Sequence, residues 1–107
     1  MDLRSEIVGL LTRMPSGPQN AELADLFHAA LGDTSDVIAQ SAALVAQALL
    51  YQARGELTAE DVMTLLDKQR RVAQIEANNA QIALRVRIES QLCRLIRLSV
   101  EVVVSLL

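Results

Sequence analysis

Four sets of residues in this 107-residue chain have the types that chemistry needs: His28, the single Cys93, and the carboxylate pairs Asp33 with Asp36 and Glu60 with Asp61. A histidine can serve as general base, a thiol as nucleophile, and two close carboxylates as an acid and a base. None of the four has the neighbours such work requires. His28 follows Phe27 on an apolar-leaning helix with no Ser or Cys signature beside it, so it reads as structural. One cysteine makes neither an intrachain disulfide nor a CxxC metal site, and Cys93 reads as a small buried hydrophobe. Both carboxylate pairs stand where helices begin, and there negative charge offsets the helix dipole. GxGxxG, GxxxxGK[ST] and HExxH do not occur. The chain therefore reads as a non-enzyme, with no catalytic residue, no cofactor and no metal.

Hydrophobic residues make up 51% of the chain and aromatics 2%, so a core must be built from Ala, Leu, Val and Ile, which suits helix-on-helix packing. The expected fold class is all-α, in a single domain spanning residues 1–107. With Phe27 and Tyr51 as the only aromatics there is no stacking platform for single-stranded nucleic acid, and nucleic acid is not an expected partner. The start, MDLRSEIVGLLTRMPSG, has an acid at position 2 and lacks the basic beginning and cleavage site of a secretory signal, so synthesis in the cytoplasm without a cleaved signal is expected. Val37 to Ala53 carries no charge, but Gln40, Gln47 and Gln52 interrupt it, and a buried helix is favoured over a membrane span. The net charge of −3 is uneven. Residues 1–67 hold three basic and ten acidic side chains, net −7, and residues 68–107 hold seven basic and three acidic, net +4. Two readings stay open: solvated faces with intrachain pairing, or head-to-tail attraction between copies.

The elements that position these residues are helices with clear punctuation. Leu3, Ile7, Leu10, Leu11 and Met14 recur at helical spacing until "PSGP" at 15–18 makes a linker. Asn20 is expected to cap a second helix that Gly32 ends, and "DTSD" at 33–36 to turn into a third that runs to Arg54 and Gly55. Its alanines at 39, 42, 43 and 46 let another backbone come close. Residues 1–54 thus form short N-terminal helices. Thr58 and Asp61 resemble a capping box, and from there to Leu107 no breaker occurs. Residues 58–107 are expected to form a long helix, about 75 Å if straight, or a helical hairpin.

Steps of seven from Leu65 meet Val72, Asn79, Val86, Cys93, Val100 and Leu107; steps of seven from Lys68 meet Ile75, Ile82, Glu89, Ile96 and Val103. This is a coiled-coil heptad seam with Lys68, Asn79 and Glu89 as polar exceptions. Its residues Leu65, Val72, Ile75, Asn79, Ile82, Val86, Cys93, Ile96, Val100, Val103 and Leu107 form the expected oligomer interface. Asn79 either sets register within the seam or, with Asn78, marks a bend between two antiparallel arms. A second apolar line, through Leu84, Ile88, Leu92, Leu95, Val102 and Leu106, leaves the last arm only a narrow polar strip, which argues for burial between subunits or against the first three helices.

The run "LTAEDVMTLLDKQ", with Asp61, Val62, Met63, Thr64 and then Lys68, resembles the flagellar basal-body adaptor that joins rod to membrane ring, whose relatives are the inner-rod and needle subunits of type III secretion. The resemblance covers at most the last 50 residues, and it implies Val86 and Arg87 as counterparts of a Val-Arg step, spaced from Met63 by about two helical turns more. It implies a small, aromatic-poor helical subunit, made without a cleaved signal, exported through its own channel and incorporated into a cell-envelope assembly by its terminal helices. The expected function is that of a non-enzymatic structural subunit of a helical homo-oligomeric assembly whose partners are its own copies and other helical proteins. The alternatives are a small cytosolic helical adaptor or chaperone that binds a partner helix and, less favoured, a membrane-associated helical protein such as a phage lysis factor.

Overall fold

Two of the helices start where a side chain satisfies a backbone N–H group, at Asp2 and at Thr58. In the computed structural model, which describes residues 2–14 and 18–105, every regular element is helical. Asp2 caps α1 (Leu3–Arg13) by accepting from the Ser5 N–H at 2.7 Å. The linker read at 15–18 falls mostly outside the described residues, and Pro18 is already the first residue of α2 (Pro18–Leu31). Asn20 therefore does not cap α2. It sits buried in the first turn, where its Nδ2 donates to the Leu11 carbonyl at 3.4 Å and ties α2 to the end of α1.

Ser35 precedes α3 (Asp36–Ala53) without a side-chain capping bond, while Asp33 Oδ1 accepts from the Ser35 N–H at 2.8 Å and shapes the turn. Past α3, Gly55 at φ +79 lets the Glu56 N–H reach the Tyr51 carbonyl at 2.8 Å and the Gly55 N–H the Gln52 carbonyl at 3.0 Å, a Schellman ending. Thr58 and Asp61 complete the expected capping box in both directions and open α4 (Ala59–Asn79).

α4 stops at Asn79, Ala80 and Gln81 take extended backbone, and the chain turns back. α5 (Ile82–Arg87), a π-helical stretch over Ile88–Cys93 and α6 (Arg94–Ser105) then follow without interruption as one limb. The fold-back shows in the dimensions: residues 59–105 as one straight helix would span about 70 Å, whereas the longest extent of the molecule is 38 Å. α4 and the last limb form a helical hairpin, packed side by side.

α3 lies at the centre, in contact with α1, α2, α4 and the last limb. Its buried residues Ala42, Ala46 and Ala48 keep the neighbours close, and Ile38, Val45 and Leu49 fill the space between them. Phe27, Leu23, Leu66, Ile88, Leu92 and Leu95 complete the core from the other helices. Each such side chain, fully buried, contributes roughly 1.5–3 kcal/mol. One polar pair is sealed into it: Ser41 Oγ on α3 donates to Gln69 Oε1 on α4 at 2.6 Å. α6 packs on α2, α3 and α4, so Val102 and Val103, whose burial two subunits or one chain could have supplied, are covered within the chain. The expected polar strip keeps Ser90, Arg97, Glu101 and Ser105 exposed.

Candidate functional site

The residues with chemical potential are not brought together, and two of the carboxylates, Asp33 and Asp61, are already hydrogen-bonded. His28 is exposed in the last turn of α2, where a basic side chain complements the helix dipole. Asp61 is engaged with Thr58, and Asp33 accepts from Arg87 Nη2 at 2.9 Å besides holding Ser35. Cys93 is half-buried, and desolvation together with the charge of Glu89 raises its thiol pKa above the usual value, against a smaller opposing effect of Arg97. The thiol stays protonated at neutral pH and is a poor nucleophile. Among the described residues no group of three or more His, Cys, Asp or Glu is placed to hold a metal ion.

The seam residues divide sharply. Ile96 and Val103 are buried in the chain's own core, and Leu65, Cys93 and Val100 are half-buried. Ile75, Ile82 and Val86 are 59%, 79% and 57% exposed, with Val72 also exposed and Asn79 among them. Leu107 lies outside the described residues. The division has a geometric cause: α6 packs on α2, α3 and α4, so its apolar residues find cover, whereas α5 packs only on α4 and the π-helical stretch, and the exposed side chains of α4 lie on roughly the opposite side from its buried Ala73 and Ala77. Around the turn, four aliphatic side chains therefore meet water, an arrangement that marks an interaction surface when it is larger than the scattered apolar exposure of an ordinary monomer.

The turn itself is held by Arg85. Its Nε donates to the Ala77 carbonyl at 2.9 Å and its Nη2 to the Asn78 carbonyl at 3.4 Å, so a cation closes the end of α4 where carbonyls lack helical partners. Gln74 Nε2 donates to Asn78 Oδ1 at 3.1 Å along the same end. Nothing in the spacing of Arg85 announces this role, because its targets lie across a turn that the local sequence does not encode.

Opposite charges of the two halves meet inside the chain. Arg94 on α6 makes a two-point contact with Glu22 on α2, its Nη2 lying 3.0 Å from Oε1, and the hydrogen bonds from Arg94 hold the Glu22 carboxyl below its ordinary pKa. Arg87 to Asp33 is the second such pair. Arg70 and Arg71 are engaged locally with Asp67, whose pKa is lowered by them. Lys68 and Arg97 are exposed and enter no ion pair among the described residues.

A groove of about 470 Å³ runs between α4 and the last limb, lined by Arg70, Gln74, Cys93, Ile96, Arg97, Val100 and Glu101. Sequence reasoning places Cys93, Ile96 and Val100 on the seam without indicating that they share a groove with two arginines. Other large apolar side chains outside the seam are exposed as well, Leu44 and Tyr51 on α3, Met63 on α4 and Val104 on α6. No helix among the described residues is long and apolar enough to cross a membrane. Comparison with protein-family models, with characterised proteins and with solved structures finds no match to the chain.

Proposed function

We propose that this chain is a non-enzymatic structural subunit of a helical homo-oligomeric assembly, and that its copies meet through the heptad line around the turn. The observation that carries the reading is the exposure of Val72, Ile75, Ile82 and Val86 at heptad spacing on both sides of Ala80–Gln81. Each such side chain, covered by another copy, contributes roughly 1.5–3 kcal/mol toward association, before the cost of lost freedom is subtracted. Asn79 within that line then penalises shifted registers, since a misplaced partner leaves its amide unpaired. The most concrete form of this function is a type III secretion or flagellar rod or needle component, which the resemblance of the Asp61 to Lys68 run supports.

The second reading, a small cytosolic adaptor or chaperone that binds a partner helix, is favoured by one observation: the groove between α4 and the last limb has an apolar floor at Ile96 and Val100 and charged rims. Sedimentation velocity over a wide concentration range separates the two. A self-assembling subunit gains mass with concentration and loses that gain in Ile82→Asp. A protein that stays monomeric alone at every concentration fails the first reading.

A further inference from the structure

The turn between α4 and α5 is built from residues that do not ask for a turn. No glycine or proline occurs between Thr58 and Leu107, and Ala80 and Gln81 are good helix formers. Their backbones are nevertheless extended, at φ −89, ψ 155 and φ −64, ψ 160. Packing imposes the break, and the buried stripe shows what it interrupts. Ala73, Ala77, Ile88 and Leu92, which are buried, and Ala80 and Leu84, which are half-buried against the core, follow one another at steps of three or four residues straight through the turn, and the same rhythm of covered positions runs from Val62 to Val102 at a mean step of about 3.6, the period of an uninterrupted α-helix. On such a helix, at about 100° per residue, Val72, Ile75, Asn79, Ile82 and Val86 form one line on roughly the opposite side. In the hairpin that line is cut in two and left exposed.

We propose that the hairpin opens at Ala80–Gln81 and that two copies exchange their last limbs, each contributing one continuous helix from Ala59 to Ser105. The occupant of the opened bundle is the same limb from a second copy, so the packing of α6 on α2, α3 and α4 is remade in full, including Glu22 with Arg94 and Asp33 with Arg87. Exchange is the low-cost route to a dimer for a two-residue hinge, because the packing each chain gives up internally is restored by its partner. What the closed form alone holds is the set of bonds from Arg85 to the Ala77 and Asn78 carbonyls. What the open form alone holds is the straight helix and the uncut line. The inference rests on the self-association proposed above: exchange pairs two copies through the covered stripe, and the uncut line on the opposite side is left for contact between such pairs.

Gln81→Pro distinguishes the two forms. Gln81 already has the φ of proline, Ala80 has the extended ψ that a following proline demands, and the Gln81 N–H makes no backbone hydrogen bond, so the closed hairpin accepts the change. A straight helix does not, since the ring meets the Ala77 carbonyl and a hydrogen bond is broken in each copy. The dimer should weaken by at least about a hundredfold while the circular dichroism and thermal midpoint of the monomer are kept. A second measurement does not depend on that variant folding: spin labels at Glu60→Cys and Ser105→Cys in a Cys93→Ala chain, diluted with unlabelled protein, report the distance within one chain. The open form predicts about 68 Å, and the closed form a distance inside the 38 Å length of the molecule. A dimer with the short distance, or one that Gln81→Pro leaves intact, overturns exchange and leaves self-association standing. A wild-type chain that stays monomeric at every concentration overturns both.

Discussion

Arg85 Nε lies 2.9 Å from the carbonyl oxygen of Ala77, so a cation from the limb that follows the turn closes the helix that precedes it. The carbonyl end of α4 is negative, and the Ala77 carbonyl, which also accepts from the Ala80 N–H at 3.3 Å, offers the guanidinium an oxygen that no i+4 helical donor occupies.

Removing that contact tests the turn. Arg85→Ala should lower the unfolding free energy of the monomer by roughly 1 kcal/mol in urea denaturation, the ordinary net value of one hydrogen bond at a partly exposed site. Since the open helix does not use the bond, the same variant should raise the dimer fraction.

The buried pair Ser41 and Gln69 calls for a double-mutant cycle. Ser41→Ala leaves Gln69 Oε1 without its donor in the core and should cost about 1–3 kcal/mol. Adding Gln69→Leu removes the orphaned group and should recover part of that loss. Strict additivity of the two changes would show that the hydroxyl and amide do not depend on each other.

The Glu22 and Arg94 contact sets a pH dependence. The Glu22 carboxyl has a lower pKa folded than its ordinary 4.5, so it adds stability above about pH 4.5 and loses it as the pH falls through the depressed value. Glu22→Gln should lower the thermal midpoint slightly at neutral pH, as fits an exposed pair, and change little in acid below the depressed value, so that the midpoint varies less across that window.

At the exposed line, Ile82→Asp places a charge where 79% of the isoleucine already meets water. Monomer stability should change by less than about 0.5 kcal/mol, as for an ordinary surface substitution, while association through that line is lost in sedimentation. An equal loss of monomer stability would assign Ile82 to the fold.

Gly55 is the one described position where the backbone itself requires glycine, at φ +79 with open space around its missing Cβ. Gly55→Ala should cost about 1–2 kcal/mol by strain alone, without any steric contact, read as a lowered thermal midpoint.

Legibility in the sequence follows the distance between cause and effect. The ending of α2 before Gly32, the Schellman turn at Gly55 and the box between Thr58 and Asp61 are readable because donor and acceptor lie within a few residues of each other. Asn20 has the residue type of a cap but not the role, because its partner, the Leu11 carbonyl, is nine residues away across the linker. Asn78 and Asn79 admit both a register role and a bend; α4 ends at Asn79, and the turn falls on Ala80 and Gln81, two residues with no turn preference of their own.

From the order of residues alone follow the helical character of the chain, the bounds of its first three helices and the start of the fourth, each to within a turn. Which apolar residues are covered is a property of the folded whole. Ile75 and Ile96 hold the same heptad position and the same local preferences, yet one is 59% exposed and the other buried. The period of a helix dictates which side chains share a face, but burial depends on what lies opposite that face. For Ile96 the chain brings up its own helices, and for Ile75 it brings up none.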